Sequence, residues 1–438
     1  MRVRVSTFAL LLISAPLFAA DYVVTAPKWG KAQASAIAAA GGTVTYSHAN
    51  GFAMVSSGAA DFVARANASK AFTDIAADRF VQWRQAEQSF PLETAAVTAT
   101  DESFWPLQWA PLAVKAPGAW AAGYTGAGVR VAILDGGVYD AHVDLNGSVD
   151  VARSISFVPG YNFNEDTSTF WHGTHVAGIV AARDNGVGII GIAPGATIVS
   201  VKIIHNGGGE FGAVIAGIYY AATPIAEGGG GADIINMSFV GEFQKSDTGA
   251  GRLIGALNKA LTYATSRGVL PIAAAGNSGY DYGQQRDWVA VPAESAGVLA
   301  VSATAPYGFG NGATNYRSPA LYSNYGEGMI SLAGPGGDYG PDGACAPGGI
   351  PVPCWIADLV LSATRGSITS TDSYAWSAGT SMAAPAVAGV AALAKQAHPG
   401  ISLGALKTLL LRTADDEGKK GVDEFYGHGY PNAERAVQ

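Results

Sequence analysis

The stretch Val129-Arg130-Val131-Ala132-Ile133-Leu134-Asp135-Gly136-Gly137 decides the fold class. Its apolar positions run continuously rather than alternating, as in a strand buried on both faces of a parallel sheet. Three more runs read the same way: Ala196 to Ile204, Asp233-Ile234-Ile235-Asn236-Met237 and Val269 to Ala275. Helical stretches lie among them, Thr174 to Ala182, Gly212 to Ala222 and Arg252 to Arg267, set off by Gly-rich turns. That order predicts an α/β fold, a mainly parallel sheet with helices on both faces. Ligands of such sheets bind at the carboxyl ends of the strands.

Three of these junctions, and one helix start, carry chemistry. Asp135 ends the first strand on a Gly-rich turn, either as a buried orienting carboxylate or as an ordinary strand terminator. Trp171-His172-Gly173-Thr174-His175-Val176-Ala177-Gly178 opens a helix, where His172 suits a general base or, with His175, a metal pair. The metal reading lacks the nearby Glu of the helical zinc motif. Asn277 follows Ala273-Ala274-Ala275-Gly276, where its amide could donate to an oxyanion. Far downstream, Gly379-Thr380-Ser381-Met382-Ala383-Ala384-Pro385 begins an apolar, Ala-rich helix running to Ala397. Ser381 at that N-terminus is either a simple cap or a nucleophile beside free N–H groups and a positive dipole end.

Upstream, residues 21–84 read as a small α+β unit. It has strand-like Tyr22 to Thr25, a helix over Lys31 to Ala40, a hairpin around His48-Ala49-Asn50-Gly51 and a second helix from Asp61 to Ala68. Residues 85–103 are rich in Ala, Thr and acids and read as an exposed linker. Arg2, Arg4 and the apolar run Phe8 to Ile13, followed by Ala19 and Ala20, match a secretory signal over residues 1–20. No other run is long and apolar enough to span a membrane. In the oxidising compartment that a signal implies, Cys345 and Cys354 are expected to pair across their Gly/Pro-rich loop; two free buried thiols are the alternative. With 49% hydrophobic and 14% charged residues the 438-residue chain is globular, and its net charge of −8 disfavours nucleic acid as a partner.

Taken together, these stretches resemble the subtilisin-like serine proteases, the subtilases. The Asp, His, Ser order differs from that of trypsin-like and α/β-hydrolase enzymes. The likeness covers residues 105–438 and adds Lys115-Ala116-Pro117, Gly123-Tyr124-Thr125-Gly126, Asn236-Met237-Ser238, Gly429 and Asn432-Ala433. It implies a three-layer subtilisin-like peptidase domain over 104–438 and residue roles within it. Ser381 attacks the scissile carbonyl, His172 relays the proton, Asp135 orients the imidazole, and Asn277 with the Ser381 N–H holds the oxyanion. His175 is then structural. Substrate is expected as an extended strand between Ser238-Phe239-Val240 and Gly207-Gly208-Gly209. Ala274, Ala275, Gly276 and Ala290 shape an apolar pocket favouring an apolar or aromatic residue before the scissile bond. Pro292 falls where the family has a cis proline.

The resemblance also implies a structural Ca²⁺ held by Asp144, the Asn185 side chain and the carbonyls of Arg183, Val187 and Ile189. Residues 21–84 resemble subtilase propeptides, which act as folding helper and inhibitor and are released by self-cleavage within 85–103; a retained accessory domain is the alternative. The implied protein is a secreted monomeric endopeptidase acting on protein or peptide. The rival readings are a catalytically dead subtilase-fold binding protein, and an esterase or peptide ligase on the same triad. Two positions depart from the family: Gly136 replaces Ser or Thr, removing a hydrogen bond to Asp135, and Val240 replaces Gly, narrowing the cleft.

Overall fold

The computed structural model describes residues 19–83, 88–92, 103–166, 170–365 and 372–438. The signal reading falls almost wholly outside these residues, as does much of the linker. Contacts divide the chain into two units, Met1–Asp78 and Arg79–Gln438. Arg79 to Trp83, grouped with the small unit in the sequence, thus belong with the large one.

In the small unit, β1 (Ala20–Thr25), β2 (Thr43–His48), β3 (Phe52–Ser57) and β4 (Asp74–Ala77) form an antiparallel sheet in the order β2-β3-β1-β4. Helices α1 (Lys31–Ala39) and α2 (Phe62–Ala68) pack on it through Ile37, Phe62 and Ala66 against Val24, Val55 and Ile75. The hairpin turns where expected, Gly51 taking φ +84°, a conformation glycine adopts without strain.

The large unit has two short strands before its main sheet, β5 (Phe80–Gln82) and β6 (Ser89–Pro91). The four apolar runs become β7 (Arg130–Asp135), β9 (Thr197–Lys202), β11 (Ile234–Met237) and β13 (Leu270–Ala274), with β8 (Ile155–Ser156) and β10 (Gly208–Glu210) between them in sequence. Next come β12 (Gly241–Gln244), β14 (Trp288–Val291), β15 (Leu299–Ala305), β16 (Ser318–Pro319) and β17 (Leu332–Pro335). The main sheet has eight strands in the order β16-β15-β13-β11-β7-β9-β8, with β17 also on β15, and only the β15–β16 pair is antiparallel.

Helices α3 (His172–Ala181) and α6 (Thr380–Ala397) pack on each other on one face; α4 (Phe211–Ala222) and α5 (Thr248–Ser266) pack on each other on the other. All of α3 and most of α6 are buried, as expected of helices apolar on all sides. A further ribbon, β18 (Val360–Thr364) with β19 (Ser373–Ser377), leads directly into α6. Asp135, Ser238 and Asn277 therefore leave adjacent strands at one edge of the sheet, where Ser381 and His172 open their helices.

Candidate active site

Asp135 and His172 meet in full burial. Nδ1 of His172 lies 2.9 and 2.8 Å from the two oxygens of Asp135. A carboxylate can only accept here, so Nδ1 carries the proton and Nε2 keeps its lone pair. The approach depends on Gly173, whose missing Cβ would collide with the Gly137 carbonyl and press on Asp135. Gly136 N donates to Asp135 Oδ1 at 2.6 Å. The side chain absent at Gly136 leaves room filled by another acid: a Cβ there would sit 3.2 Å from Oδ2 of Asp166. Lys202, fully buried, binds the carbonyls of Gly136 and Ile204 through Nζ and so fixes this turn.

Ser381 stands in the first turn of α6. Its carbonyl faces Pro385, which has no N–H for the usual i→i−4 bond, and accepts instead from Ser238 Oγ at 2.7 Å. Ser238 Oγ accepts in turn from Asn236 Nδ2 at 2.9 Å. Ser381 Oγ donates to the Ser238 carbonyl at 3.2 Å. Asn277 is aimed by Thr380: its Oδ1 accepts from Thr380 N at 2.9 Å and Oγ1 at 2.8 Å. With the oxygen engaged, the Asn277 NH₂ is the end left to donate.

His175 takes a separate course. Its Nε2 donates to the Ala375 carbonyl at 3.0 Å. Among the described residues no three His, Cys, Asp or Glu side chains gather into a metal-binding group.

The two expected substrate edges hold a peptide already, the protein's own. β5 pairs antiparallel with β10, Gly208 opposite Gln82 and Gly209 opposite Val81. On the other side Val240 N donates to the Trp83 carbonyl at 3.0 Å. A side chain on Gly208 would collide with Phe80. The Trp83 ring is fully buried among Phe211, Phe239 and Phe243, with centroids 4.8, 5.6 and 6.3 Å away, and its Nε1 donates to Gly209 O at 3.0 Å.

Ala274, Ala275, Gly276 and Ala290, the expected pocket wall, are all buried, and the Val291–Pro292 peptide is cis. Val240 leans over this wall, its Cγ1 2.9 Å from where a Gly276 Cβ would be. Glu242 lies close by: its carboxylate accepts from Ser278 Oγ at 3.0 Å and Asn324 Nδ2 at 2.8 Å. Burial and the charge of Glu242 push the Tyr282 hydroxyl far above the usual phenol range, and burial raises Glu294. His205, beyond β9, is lowered by burial and by the Lys202 charge.

At the expected calcium loop, Asp144 is fully buried, with Oδ2 accepting from Ile189 N at 3.1 Å. Asn185 Oδ1 accepts from Val187 N at 3.1 Å, and its Nδ2 lies 3.5 Å from Asp144 Oδ1. Gly188, at φ +66°, leaves a cradle: a Cβ there would collide with Asp144 and Tyr374. Cys345 and Cys354 are disulfide-bonded.

Thr380, Lys202, Asp166, Glu242 and Trp83 were not singled out in the sequence. Lys202 had a readable signal, a lone cation inside an otherwise apolar strand, which stays buried only with partners. The others had none, since the neighbours that reveal them lie 30 or more positions away.

Residues 126–429 match the family model described as Subtilase family. Subtilisin Savinase of Lederbergia lenta is 35% identical over 331 residues, 75% of this chain and 98% of its own. M-protease of Shouchella clausii is 35% identical over 351 residues, 80% of this chain and 74% of its own. Among solved structures, a protease of Pseudoalteromonas arctica matches with a TM-score of 0.60 and 30% identity, over 78% of this chain and 99% of that one. Fervidolysin of Fervidobacterium pennivorans, a keratinolytic enzyme related to subtilisin, matches in fold with a TM-score of 0.70 at 23% identity, over 98% of this chain and 62% of that one. No helix among the described residues is long and apolar enough to cross a membrane. The chain belongs to the subtilase family and is a subtilisin-like serine endopeptidase.

Proposed function

We propose that this protein is exported as a precursor and hydrolyses peptide bonds through Ser381, His172 and Asp135. Ser381 Oγ attacks the scissile carbonyl carbon while its proton passes to Nε2 of His172. Asp135 holds the ring and balances its charge. The oxyanion is held by the Asn277 amide and the Ser381 N–H. Collapse expels the amine with the proton from Nε2, leaving an acyl-enzyme that water clears by the same steps. The observation that most supports a peptide substrate is the segment Arg79 to Trp83, an extended strand hydrogen-bonded on both edges of the cleft. Hydrolysis of a peptide anilide by the secreted protein tests the reading. Turnover of esters alone would replace it with the esterase reading, and turnover of neither with that of a binding protein.

The small wall residues Ala274, Ala275, Gly276 and Ala290 support a preference for an apolar or aromatic residue before the scissile bond. Glu242 is spent on Ser278 and Asn324 as a brace for the Asn277 loop.

Residues 21–83 act as propeptide and inhibitor, cut free by the enzyme itself between Trp83 and Gln88, a bond outside the described residues. Burying Trp83 in its aromatic cage makes it the anchor of that inhibition. Hot-spot truncations cost about 2 kcal/mol or more, so fragment 21–83 carrying Trp83→Ala is expected to inhibit about 30-fold more weakly in trans. An unchanged inhibition constant would remove Trp83 from this role.

A structural Ca²⁺ at Asp144 is also part of the reading. The carboxylate, the Asn185 amide oxygen and the carbonyls of Arg183, Val187 and Ile189 form a hard-oxygen donor set, and the ion would have to draw the Asn185 oxygen toward Asp144. Chelation is then expected to lower the melting temperature of the wild type by several degrees and that of Asp144→Ala by much less. Equal shifts in both proteins would dismiss the site. The active form is proposed to be a monomer.

A further inference from the structure

Beyond Trp83 and the four residues outside the described set, the chain forms β6, paired antiparallel with β19: Ser377 opposite Ser89, Trp376 opposite Phe90 and Ala375 opposite Pro91. Ser377 Oγ donates to the Gln88 carbonyl at 2.9 Å, and Leu92 N donates to the Tyr374 carbonyl at 2.9 Å. β19 ends at Ser377, four positions before Ser381. Arg79 to Trp83 thus pairs with β10 and with Val240, two positions after the Ser238 that bonds the Ser381 carbonyl, while Gln88 to Leu92 pairs with the strand that ends four positions before Ser381. By chain polarity the second segment is on the leaving-group side of any bond between them.

One side chain of that second segment enters a built site. The Phe90 ring stands edge-on to Trp355, with centroids 4.9 Å apart and planes at 81°, and edge-on to Tyr339 at 6.3 Å and 85°. Trp355 and Tyr339 are themselves in ring contact at 5.8 Å. The Tyr339 hydroxyl donates to Gln88 Oε1 at 2.8 Å, and Gly340 N donates to the Trp355 carbonyl at 3.2 Å. Trp355 follows Cys354 directly, so the Cys345–Cys354 disulfide tethers the loop that carries it.

We propose that Trp355 and Tyr339 form a subsite for an aromatic side chain of the substrate, on the leaving-group side of the scissile bond. It rests on the proteolytic reading above. Main-chain pairing with β19 accepts any sequence, whereas the two rings select an aromatic one. Phe90 fills the subsite in the precursor, and a peptide substrate takes its place once that segment has left. The disulfide keeps Trp355 in register with β19.

The test uses the mature enzyme and two quenched fluorescent peptides copying residues 80–92, one with the Phe of position 90 and one with Ala there. A peptide anilide, with no residue after the scissile bond, is measured beside them. The Phe peptide is expected to be cleaved about tenfold faster in kcat/KM, the size of an aromatic contact with partial burial. Trp355→Ala is expected to bring the ratio down to about one, and Trp355→Phe to keep most of it. A ratio near one in the wild type, with the anilide still hydrolysed, overturns the subsite and leaves the protease reading intact. A ratio unchanged by Trp355→Ala overturns it too. Failure to cleave either peptide or the anilide removes the protease reading, and the subsite falls with it.

Discussion

Replacing Ser381 with Ala is expected to lower kcat for peptide hydrolysis by on the order of 10⁶-fold, the magnitude known for the nucleophile of subtilisin itself rather than one taken from this structure. That corresponds to about 8 kcal/mol of transition-state stabilisation. The substitution removes one oxygen and little else. The Ser381 carbonyl still receives the Ser238 hydroxyl, and α6 keeps its buried Ala-rich packing, so folding of the domain is expected to survive. The same variant should accumulate as an intact precursor, because no nucleophile remains to cut between Trp83 and Gln88. Mass spectrometry of the secreted product reads this directly. Normal processing of Ser381→Ala in a host lacking other proteases would contradict self-cleavage, while normal peptide hydrolysis would contradict the mechanism.

The second large effect is expected at Asp135→Asn, about 10⁴-fold in kcat. Its cause can be read from one short contact. Gly136 N donates to Oδ1 of Asp135 at 2.6 Å and will demand an acceptor from the replacement as well. The Asn oxygen therefore takes the Oδ1 place at Gly136, which puts its NH₂ in the Oδ2 place, the nearer of the two to Nδ1 of His172. A donor there forces the imidazole proton onto Nε2, the nitrogen meant to receive the proton of Ser381. Geometry is kept and the tautomer is wrong. An NMR spectrum of the ring nitrogens should show Nε2 protonated in the variant. A variant that retained full activity, or kept the proton on Nδ1, would show that Asp135 does not set the ring.

How far the sequence reaches can be judged from particular residues. The parallel sheet was legible because strands buried on both faces must be continuously apolar. β7, β9, β11 and β13 fall within the four runs that showed it. His172 and Asp135 were legible because each ends or opens an element at the same sheet edge, and the structure does bring them into contact. The linker reading over 85–103 failed locally for a physical reason. Ser89 to Pro91 is a strand whose stability comes from β19, almost 300 positions away, and not from any apolar pattern of its own. Trp83 was grouped with the small unit, yet its cage is made of Phe211, Phe239 and Phe243. Gly136 was read as the loss of a hydrogen bond to Asp135; the structure places a second acid, Asp166, beside that position, a neighbour that no local pattern announces. Thr380 lay in plain sight beside Ser381, but its bonds to Asn277 required the fold to bring residues about 100 positions apart together.

The most direct measurement is labelling with a fluorophosphonate, followed by peptide mapping of the adduct. Such a probe phosphorylates a serine only when a neighbouring base activates it. The predicted result is one adduct, on Ser381, abolished in His172→Ala. An enzyme that cleaves peptides but carries no adduct on Ser381, or one whose labelling is indifferent to His172, would contradict the account.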